Sequence, residues 1–186
     1  IHERLVGSEM CIRDSDYTAN LLLFFDNSES FINFEFIMGK EIEHKYLVKD
    51  NGYVGMSIVS HHIRQGYLSR VPERTVRVRT YDDKGFITVK GKNQGDTRLE
   101  FEYEVPLRDA EEMLSLCEPP VIDKVRYIVP YAGFTWEVDK FESKTGLVTA
   151  EIELPESGIQ YELPPFIGEN VTGDPRYYNS NLSALL

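Results

Sequence analysis

The chain has 186 residues, enough for one domain with short appendages, and its 41% hydrophobic and 12% aromatic content is that of a folding globular protein. A formal net charge of −11 excludes general attraction to nucleic acid or to an anionic membrane through bulk charge, while leaving room for a local basic pocket. The two cysteines, Cys11 and Cys117, form no CxxC or Cys/His cluster, which speaks against a zinc site or a disulfide framework.

The longest early apolar run, "LLLFF", is far short of the ~20 residues that a spanning helix needs, and no signal-peptide layout accompanies it. The expectation is a soluble, cytoplasmic protein with no membrane or nucleic-acid partner. Residues 1–37 show no sustained period. "LVGSEMCIRDS", Leu5 to Ser15, resembles a translated sequencing-adapter scar, and the stretch after it reads as upstream DNA carried through in frame, with Met38 as the native start. Glu3, Glu9, Asp14, Asp16, Asp26, Glu29 and Glu35 lie in that segment, so part of the acidity lies outside the expected functional domain, 38–186.

From residue 39 onward, alternation of charged and apolar residues returns repeatedly, as expected of strands whose two faces differ. "EIEHKYLV" sets Glu41, Glu43 and Lys45 on one face. "GYVGMSIVSHHI" breaks the pattern and reads as helical or irregular, followed by a short strand at "QGYLS". "RTVRVRT" puts Arg77 and Arg79 opposite Val76 and Val78, and "GFITVKG" puts Lys90 opposite Ile87 and Val89. "RLEFEYEV" sets Arg98, Glu100, Glu102 and Glu104 against Leu99, Phe101, Tyr103 and Val105. In "LRDAEEMLSLC", Ala110, Met113, Leu114 and Cys117 fall at helical spacing, with Asp109 as the expected N-cap.

"VIDKVRYIV" sets Lys124 and Arg126 against Val125, Tyr127 and Val129; "FTWEVDKF" sets Glu137 and Asp139 against Trp136 and Val138. "LVTAEIEL" sets Glu151 and Glu153 against Ala150, Ile152 and Leu154. Asp174 followed by Pro175 predicts a final helix over "GDPRYYNSNLSALL". "YDDKG", "GKNQGDT", "PYAG" and "ESKTG" separate strands as hairpin loops, too short for crossovers, so about eight strands make a mainly antiparallel sheet.

One face of strand after strand is ionic and the other apolar. Two architectures satisfy this: a sandwich with a polar exterior, or a barrel with the ionic face inward and helices covering the apolar outside. The second would bury more charge than a dry interior tolerates, since even paired ions cost several kcal/mol each there. Its cavity would be hydrated and would bind a highly charged ligand. Arg77, Arg79, Lys90, Lys124 and Arg126 suit phosphate oxygens. The pairs Glu41/Glu43 and Glu151/Glu153 put carboxylates ~6.6 Å apart along a strand, hard oxygen donors for Mg²⁺ or Mn²⁺ beside a polyphosphate. His44 falls on the apolar face and reads as structural, His61 and His62 as surface residues, and Phe101, Phe134 and Trp136 as packing under helices.

At these residues the chain resembles the CYTH domain proteins, or triphosphate tunnel metalloenzymes. "EIEHKYLV" looks like their ExExK strand, and "RTVRVR", "TVKGK", "LEFEYEVP", "KVRY", "WEVDKF" and "AEIELP" resemble successive strands of the bacterial inorganic triphosphatase branch, in order. "IRQGYLS" and "GDPRYYNSNL" add to the match, while "NLSALL" looks truncated against it. The resemblance implies an eight-stranded antiparallel closed tunnel with a few covering helices, binding a triphosphate with divalent metal.

It further implies that Glu41, Glu43, Glu151 and Glu153 hold metal, with Glu102 and Asp139 assisting or holding a second ion. Lys45 is implied to help activate water, with Tyr67 as a companion; whether the cations nearby or Glu41 and Glu43 govern the lysine's pKa is open. The expected activity is metal-dependent hydrolysis of inorganic triphosphate. A class IV adenylyl cyclase or a thiamine triphosphatase could use the same tunnel, and a non-catalytic polyphosphate-binding module is a third reading. Oligomeric state is open, a homodimer included.

Overall fold

The computed structural model describes residues 40–94, 97–143 and 145–182; the expectations for residues 1–37 and for the end of "NLSALL" lie outside them. Among the described residues nine strands are formed: β1 (Lys40–Val48), β2 (Val59–Ser69), β3 (Arg74–Tyr81), β4 (Lys84–Gly91), β5 (Thr97–Val105), β6 (Glu118–Tyr131), β7 (Phe134–Phe141), β8 (Val148–Glu153) and β9 (Ile167–Asn170). Two helices, α1 (Gly52–Met56) and α2 (Leu107–Leu114), and a 3₁₀ turn at Pro175–Tyr177 complete the elements. Among the described residues no helix is long and apolar enough to cross a membrane.

The strands form one antiparallel sheet in the order β5-β4-β3-β2-β6-β7-β8-β1-β9. The start of β1 also pairs with β5, through Lys40↔Leu99, Glu41↔Arg98 and Ile42↔Thr97. Two-residue hairpins join β3 to β4 and β6 to β7, at the expected turns "YDDKG" and "PYAG". Ala132 (φ 48°) and Gly133 (φ 83°), between β6 and β7, take the left-handed conformations that match the twist of a two-residue hairpin.

The expected eight strands become nine, because β9 is only four residues long and contains Gly168, leaving no alternation to read. The ambiguous stretch resolves into one turn of helix, α1, and then the long strand β2, which takes in His61 and His62 as well as "QGYLS". Asp109 does not cap α2. Pro106, with extended backbone, occupies that position, and Asp109 sits in the first turn, where a carboxylate meets the positive end of the helix dipole. The final helix shortens to the 3₁₀ turn, although Asp174 does cap it by accepting from the Arg176 N–H at 3.0 Å.

The apolar face is covered mainly by chain, less by helix. Tyr53 of α1, Tyr161 and Phe166 of the segment before β9, and Ile167 of β9 pack on Ile42, Tyr46, Trp136, Val138, Ala150 and Ile152. α2 lays Ala110 and Leu114 on Val78 and Ile87. A Cβ at Gly85 would stand 2.6 Å from the Ala110 Cβ, so glycine is what lets α2 lie so close to β4. Trp136 is fully buried and Phe134 partly so, whereas Phe101 is 45% exposed, with Leu99 and Tyr103 beside it also exposed. Phe101 therefore does not pack under a helix, although Val105 at the end of the same strand packs on the α2 cluster.

Candidate active site

Strand after strand sets charged residues on one common face, and the antiparallel register brings them side by side. β1 and β8 pair Lys45 with Glu151 and Glu43 with Glu153; β6 and β7 pair Arg126 with Asp139. β2 and β3 pair Tyr67 with Arg77 and Gln65 with Arg79, and β4 and β5 pair Lys90 with Glu100 and Thr88 with Glu102. Because side chains alternate with period two, one register error would send every one of these groups to the apolar face.

The charges form two connected clusters. In the first, Arg77 and Arg79 reach Glu102 at 2.9 and 2.7 Å, Thr88 donates to the same carboxylate at 2.5 Å, and Lys90 lies 2.5 Å from Glu100. Arg98 lies 3.7 Å from Glu100 and 3.9 Å from Glu43. In the second, Arg126 grips Asp139 with two nitrogens, both at 2.7 Å, and also reaches Glu151 and Glu137; Lys124 meets Asp139 at 2.5 Å. Lys45 joins the clusters: its Nζ is 2.6 Å from Glu151, 3.6 Å from Glu43 and donates to the Tyr177 carbonyl at 3.2 Å.

The electrostatics follow from this pairing. Burial works against the Lys45 charge, but Glu151 and Glu43 more than offset it and hold the ammonium well above its usual range. Burial also opposes ionisation of Glu102, yet Arg79 and Arg77 bring its carboxyl down to about 2. Glu151 falls to about 2 against its own burial, chiefly because of Lys45. Asp139, although buried, is driven well below the carboxylate range by Arg126 and Lys124. Lys124 is pushed down to about 8 by burial, with Arg126 adding to the effect and Asp139 opposing it. Tyr67 is raised by burial against the pull of Arg77 and Lys45, so its phenol stays protonated.

A cavity of about 370 Å³ opens on this face, lined by Glu43, Lys45, Tyr67, Arg77 and Lys90 among the residues expected at a site. Arg98, Arg70 and Lys92 also line it, as does the chain from Val171 to Asn181. Arg79, Lys124, Arg126, Glu102, Asp139 and Glu151 do not line it and sit in the ion-pair clusters. Glu153 is exposed, opposite Glu43. The backbone of Glu41 is placed in β1, but its side chain lies outside the described residues.

Arg98, in period with Glu100 and Glu102 on the ionic face but not among the expected phosphate ligands, also lines the cavity. The sequence reading missed the Val171–Asn181 segment because backbone carbonyls and amides leave no residue-type signal. That segment is tied down by Val171 N–H donating to the Lys45 carbonyl at 2.9 Å, by Lys45 N–H donating to Thr172 Oγ1 at 2.9 Å, and by Arg70 donating to the Ser180 carbonyl at 2.8 Å. His44, read as structural, bonds Tyr161 at 2.5 Å on the apolar side. His61 and His62 meet Asp82 and Asp123, respectively.

An antiparallel sheet that gathers guanidinium, ammonium and carboxylate groups on one face around a cavity defines a class: a β protein built to handle a polyanion. The chain belongs to the CYTH domain family, whose model matches residues 39–178. It is 51% identical over 147 residues to an inorganic triphosphatase of Acetivibrio thermocellus, covering 78% of this chain and 94% of that protein. An inorganic triphosphatase of Nitrosomonas europaea is 32% identical over 148 residues, covering 77% of this chain and 96% of that one. Among solved structures, an inorganic triphosphatase superposes with a TM-score of 0.55 at 28% identity, over 77% of this chain and 93% of that chain.

Proposed function

We propose that the protein is a metal-dependent inorganic triphosphatase whose sheet closes into an eight-stranded tunnel, the β1–β5 pairing joining its ends and β9 lying outside the ring. The observation that carries this reading is the meeting of Lys45, Tyr67, Arg77, Lys90, Arg98 and Glu43 around one cavity, in a chain that matches inorganic triphosphatases over nearly their whole length. Its small-molecule partner is a triphosphate, and its setting the cytoplasm.

The divalent ion that the family implies fits the donor chemistry at one place. Glu43 lines the cavity and stands directly opposite Glu153 across β1 and β8, which puts two hard oxygen donors within reach of one ion. Glu41 stands two residues along the same strand. Among the described residues no three carboxylate, imidazole or thiol groups converge into a complete metal site. A carboxylate pair suits Mg²⁺ or Mn²⁺, which take one or two carboxylates together with substrate phosphates. When bound there, the ion acts as a Lewis acid that neutralises phosphate charge. Glu102, Asp139 and Glu151 are engaged by cationic side chains and serve to hold the clamps in place.

Arg77, Lys90 and Arg98 grip the phosphate oxygens, the guanidinium forks fixing orientation as well as charge. Arg79, Lys124 and Arg126 supply fixed positive potential from behind them. Lys45 has three acceptors around its nitrogen, so it offers no lone pair to water and works through its charge. A loose phosphoryl transition state asks for positioning and charge stabilisation more than for a strong base. A water oxygen bonds the terminal phosphorus as the bridging P–O bond breaks, giving phosphate and pyrophosphate, with the water's proton ending on the products.

The test is a substrate panel of tripolyphosphate, ATP, thiamine triphosphate and pyrophosphate with Mg²⁺ or Mn²⁺, assayed for phosphate and for cyclic AMP. Fastest release of phosphate from tripolyphosphate, without cyclic AMP from ATP, is expected. Cyclic AMP formation, or a thiamine triphosphate rate above that on tripolyphosphate, would replace this reading; no turnover of any substrate would leave a binding module.

A further inference from the structure

Gln65 has no part in the ionic clusters, yet it is fully buried on the same face of β2 as Tyr67, two residues away. Its Nε2 donates to the Tyr67 hydroxyl at 3.2 Å. The Oε1 of the same amide is buried and accepts no hydrogen bond among the described residues. Directly across from Gln65 in the β2–β3 register is Arg79, whose Nε–H is likewise buried and unbonded there. A buried polar atom without a partner is destabilising, so a site that retains one calls for a reason beyond stability.

The reason lies in what the amide does to the phenol. An amide has a donor end and an acceptor end, and a phenol can donate one hydrogen bond and accept others. The cations across the register, Arg79 opposite Gln65 and Arg77 opposite Tyr67, favour turning the carbonyl end towards themselves. The NH₂ end is then left to face the phenol oxygen. With that oxygen already accepting from Gln65, the Tyr67 O–H is free to donate elsewhere, and Tyr67 lines the cavity. Ile122, Phe141 and Leu182 pack on the ring and hold it in place.

We propose that Gln65 is a positioning residue that fixes Tyr67 as a hydrogen-bond donor to the bound triphosphate, so that Tyr67 steadies a phosphate oxygen rather than taking a proton from water. This rests on the triphosphatase reading above. Burial, which keeps the phenol protonated, works in the same direction.

Gln65→Glu is nearly isosteric and reverses the polarity: a carboxylate can only accept, so the Tyr67 hydrogen turns to it and away from the substrate. The experiment is a double-mutant cycle of Gln65→Glu and Tyr67→Phe, reading kcat and KM on tripolyphosphate, with melting temperatures to verify folding. In the wild-type background Tyr67→Phe is expected to lower kcat about tenfold, or about 1.4 kcal/mol. In the Gln65→Glu background the same substitution should change kcat less than twofold, because the donor is already lost; the charge of the new carboxylate is common to both arms and cancels.

Gln65→Met, which can neither donate nor accept, supplies a second arm if Gln65→Glu fails to fold. It should lower kcat by severalfold with Tyr67 present and have no effect with Tyr67→Phe. Equal, additive losses in both backgrounds would reduce Gln65 to a packing residue and overturn the proposal. A Gln65→Glu variant with wild-type kcat would also overturn it. Absence of any triphosphate hydrolysis by the wild type would instead remove the functional reading on which it stands.

Discussion

Glu43 and Asp139 are both acidic residues on the ionic face, and their surroundings give them different work. Glu43 lines the cavity opposite Glu153; Asp139 is fully buried between Lys124 and Arg126. Glu43→Gln or Glu153→Gln should therefore shift the Mg²⁺ concentration for half-maximal activity upward by an order of magnitude or more, with little change in melting temperature. A variant that kept the wild-type metal titration would remove that residue from the metal site. Asp139→Asn takes from the buried Lys124 its paired carboxylate and leaves Arg126 with Glu137 and Glu151 alone, and breaking a buried pair costs about 3–5 kcal/mol. Urea unfolding should register that loss with or without metal; an Asp139→Asn protein of unchanged stability would return Asp139 to the candidate ligands.

At the scale of the element, alternation read the strands well because here it separates ions from hydrocarbon, the sharpest contrast a period of two can carry. It could not say what covers the hydrocarbon. Trp136 and Phe101 carry the same signal, yet one is sealed beneath Tyr161 and Tyr46 while the other is exposed. Nor could it place the wall from Val171 to Asn181, whose work is done by its backbone and by Thr172. Arg98 is legible as a cation in period with the ionic face; Gln65 is not, since an isolated glutamine in a strand has no pattern to distinguish it. The seating of α2 offers a direct test. Gly85→Val should force the helix away from β4, since even a Cβ there collides with Ala110, and overpacking of this kind costs about 1–3 kcal/mol. A fall in melting temperature of several degrees is expected; no change would mean that α2 shifts without cost.

The whole molecule should be sensitive to acid. Glu102 and Glu151 each have a folded pKa of about 2, below the ordinary value of 4.5. A depressed carboxylate contributes stability that is fully present above its unfolded pKa and is lost as pH falls through the folded one. The urea midpoint should hold from neutrality to about pH 5, then fall steadily toward pH 2. A midpoint that stays flat through that window would show that these ion pairs add nothing net to the fold. The family match begins at residue 39, and a chain beginning at Met38 is expected to keep its melting temperature and its activity. A loss of several degrees would assign a structural role to the preceding residues.

The pairing of β1 with β8 has a consequence for how the chain acquires its function. Lys45 and Glu43 leave the ribosome early, while their register partners Glu151 and Glu153 follow roughly a hundred residues later, a separation that makes such contacts slow to form. Until then the first strand carries its site residues without the site. A strand with two apolar faces left waiting that long would invite aggregation; one whose functional face is charged keeps that side hydrated. The charged face that the proposed function assigns to substrate is thus the face that stays hydrated on the nascent chain, and the β1–β8 pairs can form only when nearly all of the domain has been made.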